Sequence, residues 1–171
     1  HVGEVVDDVV EPGPVEAGDR LGDAEPAREH PVRAVDDQGG QQHPERALDL
    51  AVRTAQARRS KRTGRTLDQD PDIRARIGGM ALRLDGIRLE LAQLTRDVDE
   101  NVDRGAEWFR LLSGMKHRAV VAAKATVDDA MLVAGGSSFF TRSELSRLYR
   151  DVMAGMYHPS DPESAHATAA Q

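Results

Sequence analysis

Two stretches hold the residue types that could do chemistry. The first is a basic run, Arg58, Arg59, Lys61, Arg62 and Arg65, interrupted by Gly64. A guanidinium in such a run can hold phosphate oxygens through two parallel hydrogen bonds, or the run can be a solvated basic loop. The second stretch runs from Met115 to Pro159 and contains Gly135-Gly136, then Arg147, Arg150 and Asp151, then His158-Pro159. A glycine pair lets a ligand approach the backbone because no Cβ intervenes, and it also closes helices. Histidine ordinarily titrates near neutrality, so His158 suits acid–base work. A histidine just past a helix end is equally at home as a surface cation on the helix dipole. Arg147 and Asp151 stand one turn apart and read as an i,i+4 ion pair. His117 and His166 have no partners at metal-ligand spacing, so no metal site is expected.

Four amphipathic helices must position these groups. The first is expected from about Glu45 to Arg59, with Leu48, Ala51, Val52 and Ala55 on one face and Pro44 in its first turn. The second starts after Asp70, an N-cap, with Pro71 at the first helical position. Ile73, Ile77, Met80, Leu84, Ile87, Leu91, Leu94 and Val98 recur in alternating steps of 4 and 3, a long seam that other helices must cover. The third runs from about Ala106 to Ala134 along Met115, Ala119, Ala122, Thr126, Ala130 and Val133, and stops at Gly135. The fourth runs from about Ser143, its cap, to Tyr157, with Leu145, Leu148, Tyr149, Val152 and Met156 inward. Pro159 forbids continuation. The expected fold is all-α: an up-and-down four-helix bundle over residues 46–158, followed by a tail over 159–171. Its seams exceed what four helices cover, so self-association is expected.

Residues 1–45 are a different kind of sequence. They carry 12 acidic and 3 basic side chains, whereas 46–171 carry 17 and 20. They contain five prolines, six glycines and no aromatic residue. Too little large apolar surface is available to offset the entropy of ordering them, so they read as a disordered acidic segment. The chain begins with His1 rather than Met, which fits a fragment, a processed product, or a reading whose early part is in the wrong frame. No apolar run approaches the roughly 18 residues of a membrane span. No leader pattern opens the chain, so a cytoplasmic location is the default expectation. Zero cysteines exclude disulfides and thiolate chemistry in these 171 residues. The basic run is short and lacks interleaved aromatics, which argues against nucleic-acid binding.

From about Ala47 onward the order of motifs resembles the C-terminal helical domain of the acyl-CoA dehydrogenase family. ALDLAVRTAQARRS is similar to that family's first C-terminal helix, and DQDPDIRARIGGMALRLDGIRLEL to its second. MLVAGGSS resembles the glycine pair after the third, and ELSRLYRD the Leu-x-Arg-x-x-Arg-Asp of the fourth. The resemblance implies a flavoenzyme that oxidises acyl-CoA thioesters at the α,β carbons with FAD. It implies self-association as a dimer or tetramer, that Arg58 reaches the cofactor pyrophosphate of a neighbouring subunit, and that Gly135 and Gly136 lie against its adenosine diphosphate. The preceding helical and β-domains of the family have no counterpart here, so the acyl-CoA substrate is expected only in a complete enzyme.

Three positions depart from the pattern. Lys61 and Arg62 precede Gly64 where an aromatic residue is usual, and Ser138 replaces a glycine. The family's catalytic Glu falls at Pro159, which leaves His158 as the acid–base group. A histidine there resembles the flavin-dependent monooxygenases that share the fold. A non-catalytic assembly module is the remaining alternative.

Overall fold

The computed structural model describes residues 39–171, with side chains from His43 onward. The acidic segment expected to be disordered lies, up to residue 38, outside the described residues. Five α-helices follow: α1 (Gly39–Ala57), α2 (Pro71–Asp99), α3 (Glu107–Ala134), α4 (Glu144–Ala154) and α5 (Pro162–Ala169). Short 3-10 turns at Leu67–Gln69 and Gly135–Phe139 lead into α2 and away from α3. Among the described residues there is no strand, only an isolated antiparallel bridge between Arg59 and Thr66. No helix among them is long and apolar enough to cross a membrane.

α3 is the centre, packing against α1, α2, α4 and α5, whereas the backbones of α2 and α4 do not approach each other closely. The composition of the central pair explains this. Ala47, Ala51 and Ala55 form a fully buried stripe on α1 at four-residue spacing. On α3, Ala122, Thr126, Val127, Ala130, Val133 and Ala134 are buried. Small side chains let two helix backbones approach closely. Met80 of α2 and Leu145, Leu148 and Val152 of α4 complete the core from either side.

Boundaries differ from expectation in three places. α1 begins at Gly39, six residues before Glu45, with Pro44 inside it. Pro44 lies near the start of α1, where its missing N–H and the crowding of its ring against the preceding turn affect only the first helical bonds. The buried face of α1 is rotated toward Ala47, leaving Leu48 and Val52 half-buried. α4 stops at Ala154, and Ser143 holds the N-cap position without a side-chain bond. The stretch expected as a tail folds into α5, capped by Asp161, which accepts from Ser164 N–H at 2.8 Å. Only Ala165 of α5 is buried, and one small apolar residue leaves no seam to read. On α2, Met80, Leu84 and Leu94 are buried as the seam requires, but Val98 is 53% exposed.

Candidate functional site

The basic run folds as a tight loop off the end of α1. Ser60 N–H donates to Arg65 C=O (2.8 Å), and Gly64 N–H to Ser60 C=O (2.8 Å). Gly64 sits at φ +71°, where glycine has no steric cost. Arg59 spends one N–H on the Gly64 carbonyl at 3.0 Å. Arg58, Arg59, Lys61, Arg62 and Arg65 are all exposed, and none is in a salt bridge among the described residues. Five cations on one loop without acidic partners leave a positive surface that suits an anion.

Arg58 turns back onto the end of α3. Its Nη1 donates to the Ala134 carbonyl, one of the orphan acceptors of the helix C-terminus. A cation there also complements the negative end of the helix dipole. Gly135 follows at φ +68°, ψ −163°, and its N–H closes the last helical bond to Met131. The positive φ is what a helix stop predicts, but ψ lies outside the left-handed helical well, because the chain continues into a 3-10 turn. A Cβ built on Gly135 would meet Arg58 Nη1 at 3.3 Å. Gly136 is exposed, and a Cβ there would meet nothing within 4 Å. Two segments 76 residues apart, both singled out for phosphate contact, therefore come together. The rest of the Arg58 guanidinium and the open backbone of Gly136 remain available beside them. Ser138, which stands where a glycine was expected, is buried and donates to the Gly135 carbonyl at 2.8 Å.

His158 lies elsewhere. It is exposed on the turn between α4 and α5, with Nδ1 3.1 Å from the Pro159 carbonyl. A carbonyl can only accept, so this contact needs a proton on Nδ1, and in the neutral ring Nε2 is then the nitrogen with the lone pair. The turn is fixed from α3 by Lys116, whose Nζ donates to the carbonyls of Gly155 (3.0 Å), His158 (2.9 Å) and Ser160 (2.7 Å). Lys116 and Ala134 are 18 residues apart on α3, so the His158 turn and the Arg58 end are separated by about 27 Å along the helix axis. The structure does not bring His158 together with Arg58, Gly135 and Gly136.

The remaining sequence features resolve as structure. Arg147 pairs with Asp151 at 3.0 Å, one turn apart, and Arg150 donates to Ser146. Arg46 of α1 grips Glu144 at the start of α4 through two bonds of 2.8 and 3.0 Å, holding the Glu144 carboxyl below its ordinary range. His117 and His166 meet edge to face, ring centroids 4.8 Å apart, where α5 crosses α3. No group of three or more metal-ligating side chains occurs among the described residues.

Sequence reasoning missed Lys116, because nothing in its neighbours announces three distant carbonyls. It also missed an apolar cleft of about 500 Å³ in the space that α2 and α4 leave between them. Leu84, Ile87, Leu91, Met115 and Val120 line it, the Arg88–Glu45 ion pair stands at its edge, and it ends at Lys116 and Gly155.

Comparison with known proteins places this geometry in context. The sequence profile of the acyl-CoA dehydrogenase C-terminal domain matches residues 44–160. YdbM of Bacillus subtilis, assigned by name to the acyl-CoA dehydrogenases, is 32% identical over 126 residues, which are 73% of this chain and 33% of that protein. A Mycobacterium abscessus protein similarly assigned has a solved structure that superposes with a TM-score of 0.70 at 26% identity, over 77% of this chain and 33% of that one. The FAD complex of PigA shares the fold with a TM-score of 0.68 at 21% identity, over the same shares of the two chains. The chain thus spans about a third of the length of the relatives it matches.

Proposed function

Since the chain belongs to the acyl-CoA dehydrogenase family and matches its C-terminal domain, we propose that its Arg58–Gly136 end receives the diphosphate of FAD. It does so within a longer enzyme that oxidises an acyl-CoA thioester at the α,β carbons. The observation that carries this reading is the contact of Arg58 with the Ala134–Gly135 carbonyl end of α3. The guanidinium is anchored by one N–H, which lowers the entropic cost of presenting the others to phosphate oxygens. The neighbouring uncompensated cations and the open backbone at Gly136 fit the same anion.

FAD, when bound, supplies the hydride acceptor. His158 takes the substrate α-proton on Nε2, the lone pair left free by the Nδ1–Pro159 contact. The apolar cleft that ends at Lys116 and Gly155, the residues holding the His158 turn, suits an alkyl chain. Because α3 separates His158 from Arg58, the two serve different cofactor molecules, which fits a self-associated protein.

A titration of the purified chain with FAD, followed by flavin fluorescence with size measured on the same sample, tests the reading. Arg58→Met should weaken binding by about tenfold, the loss of one charge-assisted contact, and Gly136→Ala should weaken it through the Cβ that then stands in the path of the phosphate. Absence of binding by a folded oligomer, or unchanged binding in both variants, overturns it and leaves an assembly module. A second reading, a flavin-dependent monooxygenase, is favoured by one observation, the His158-Pro159 pair where a carboxylate would stand. Formation of an enoyl-CoA by the longer enzyme decides for the first; substrate-dependent oxygen consumption with a hydroxylated product decides for the second.

A further inference from the structure

We infer that Lys116 is a positioning residue: its ammonium holds the turn that carries His158 in one conformation, and without it that turn opens. The inference rests on the proposed role of His158 only for its consequence in catalysis. The clamp itself stands on geometry.

An ammonium has three N–H donors, and here all three are used on backbone carbonyls within a six-residue span. They go to Gly155 where α4 ends, His158 in the turn, and Ser160 just before the α5 cap. The first of these carbonyls belongs to the negative end of α4, where a cation is favoured. The other two have no helical partner, and each would otherwise rely on water.

The clamp works together with a close approach. At Gly155, a Cβ would meet Val120 Cγ2 at 3.0 Å and the Val152 carbonyl at 3.3 Å, so α4 ends directly against α3 one turn beyond Lys116. On the far side, Asp161 caps α5 through Ser164, and the Lys116 charge is among the causes that lower its carboxyl from the ordinary range, after the Ser164 bonds. α5 then returns Ala165 to the surface of α3. One side chain thus fixes the exit of α4, the path through residues 155–160 and the entry to α5. Tyr157 (81% exposed) and His158 are the side chains this turn projects outward. A turn whose backbone is held so fully while its side chains face out is built to present them. The Lys116 ammonium hydrogen-bonds only to backbone carbonyls, so it acts on the His158 side chain by fixing the turn that carries it.

The test uses the chain as it is, with Lys116→Met, Lys116→Arg and, as a control on the same helix, Lys124→Met. Lys124 makes a one-turn ion pair with Asp128 and lies 5.9 Å from the Tyr149 ring of α4, with no hydrogen bond to the turn. Limited chymotrypsin digestion reads opening at Tyr157, and heteronuclear NOE values of residues 156–161 read order directly. Loss of bonds to a charged donor should speed cleavage at Tyr157 at least about tenfold in Lys116→Met, with the NOE falling over 156–161 and the α1–α3 amides unchanged. Lys116→Arg should restore part of the protection, and Lys124→Met should behave as the wild-type chain. Cleavage and NOE values in Lys116→Met equal to those of Lys124→Met overturn the inference. So does a uniform loss of order across α1–α4, which would make Lys116 a general stabiliser. If the turn opens in Lys116→Met while His158→Gln leaves turnover of the longer enzyme intact, the clamp stands and the catalytic reading of His158 fails.

Discussion

Gly135 and Gly136 are adjacent and look interchangeable in sequence, yet the structure gives them opposite sensitivities. Gly135 adopts φ +68°, ψ −163°, a region open essentially to glycine alone. An alanine there costs about 1–3 kcal/mol in backbone strain. Its Cβ also arrives 3.3 Å from Arg58 Nη1, closer than most such contacts. That neighbour is the tip of a flexible side chain and can retreat by a few tenths of an ångström, so sterics add little and the strain dominates. At Gly136 the backbone is not in the positive-φ region and a Cβ meets nothing within 4 Å, so Gly136→Ala should change stability by no more than about 0.5 kcal/mol. Thermal unfolding followed by circular dichroism separates the two. For a domain of this size each 1 kcal/mol moves the midpoint by roughly 2–8 °C, so Gly135→Ala should melt several degrees below wild type and Gly136→Ala beside it. Equal midpoints for the two variants would falsify the assignment of Gly135 to backbone geometry. A fall in Gly136→Ala alone would mean that the space above it is already filled.

Other consequences are independent of that end. Met80 is fully buried between α2 and the core, so Met80→Ala should cost about 2–5 kcal/mol in urea unfolding with the slope unchanged; a loss below about 1 kcal/mol would mean the site collapses. Asp97 is buried against Arg104, and that hydrogen bond holds its carboxyl below the ordinary range, with Gln93 a smaller contributor. A carboxyl depressed in the folded state adds stability above its unfolded value of about 3.9, and that stability disappears as pH falls through the folded value. Wild type should therefore lose more stability than Asp97→Asn as pH falls below about 4, while Asp97→Asn is the weaker of the two at pH 7; parallel curves would remove Asp97 from the acid transition. Gly155→Ala should cost about 1–3 kcal/mol by overpacking, and Val120→Ala should recover part of it in a double-mutant cycle, since Val120 supplies the closest atoms; additive effects would contradict the close approach.

The helices were legible where large apolar residues recur. The seam of α2 and the inward Leu145, Leu148 and Val152 of α4 name their own faces. The face of α1 was misjudged by one position because alanine carries almost no hydropathy signal. Ala47 is nevertheless fully buried, on the stripe it shares with Ala51 and Ala55. α5 was invisible for the same reason, having one buried alanine and no seam. At the candidate site, Arg58 and the glycine pair were singled out from motif order, and their contact joins residues that only the tertiary fold relates. Lys116 was not legible at all. A lysine on a helix surface looks solvated until the chain folds back and supplies carbonyls from residues 155 to 160.

The separation of His158 from Arg58 has a consequence that can be measured. A helix is a stiff rod, and no side-chain rearrangement closes about 27 Å. If Arg58 grips the diphosphate of a cofactor whose reactive end lies near another copy's His158 turn, then a monomer holds only part of each cofactor site. Binding and assembly are then linked, and each must strengthen the other. The apparent FAD affinity should rise with protein concentration across the range where the chain self-associates, and saturating FAD should shift that range to lower concentration. Arg58→Met should weaken both effects together while leaving the melting of the bundle nearly unchanged, because that side chain is exposed and makes one bond to the fold. Flavin affinity that is constant with concentration, in a sample shown by sedimentation to pass from monomer to oligomer, would place the whole cofactor contact within one copy and refute the division of the site between two.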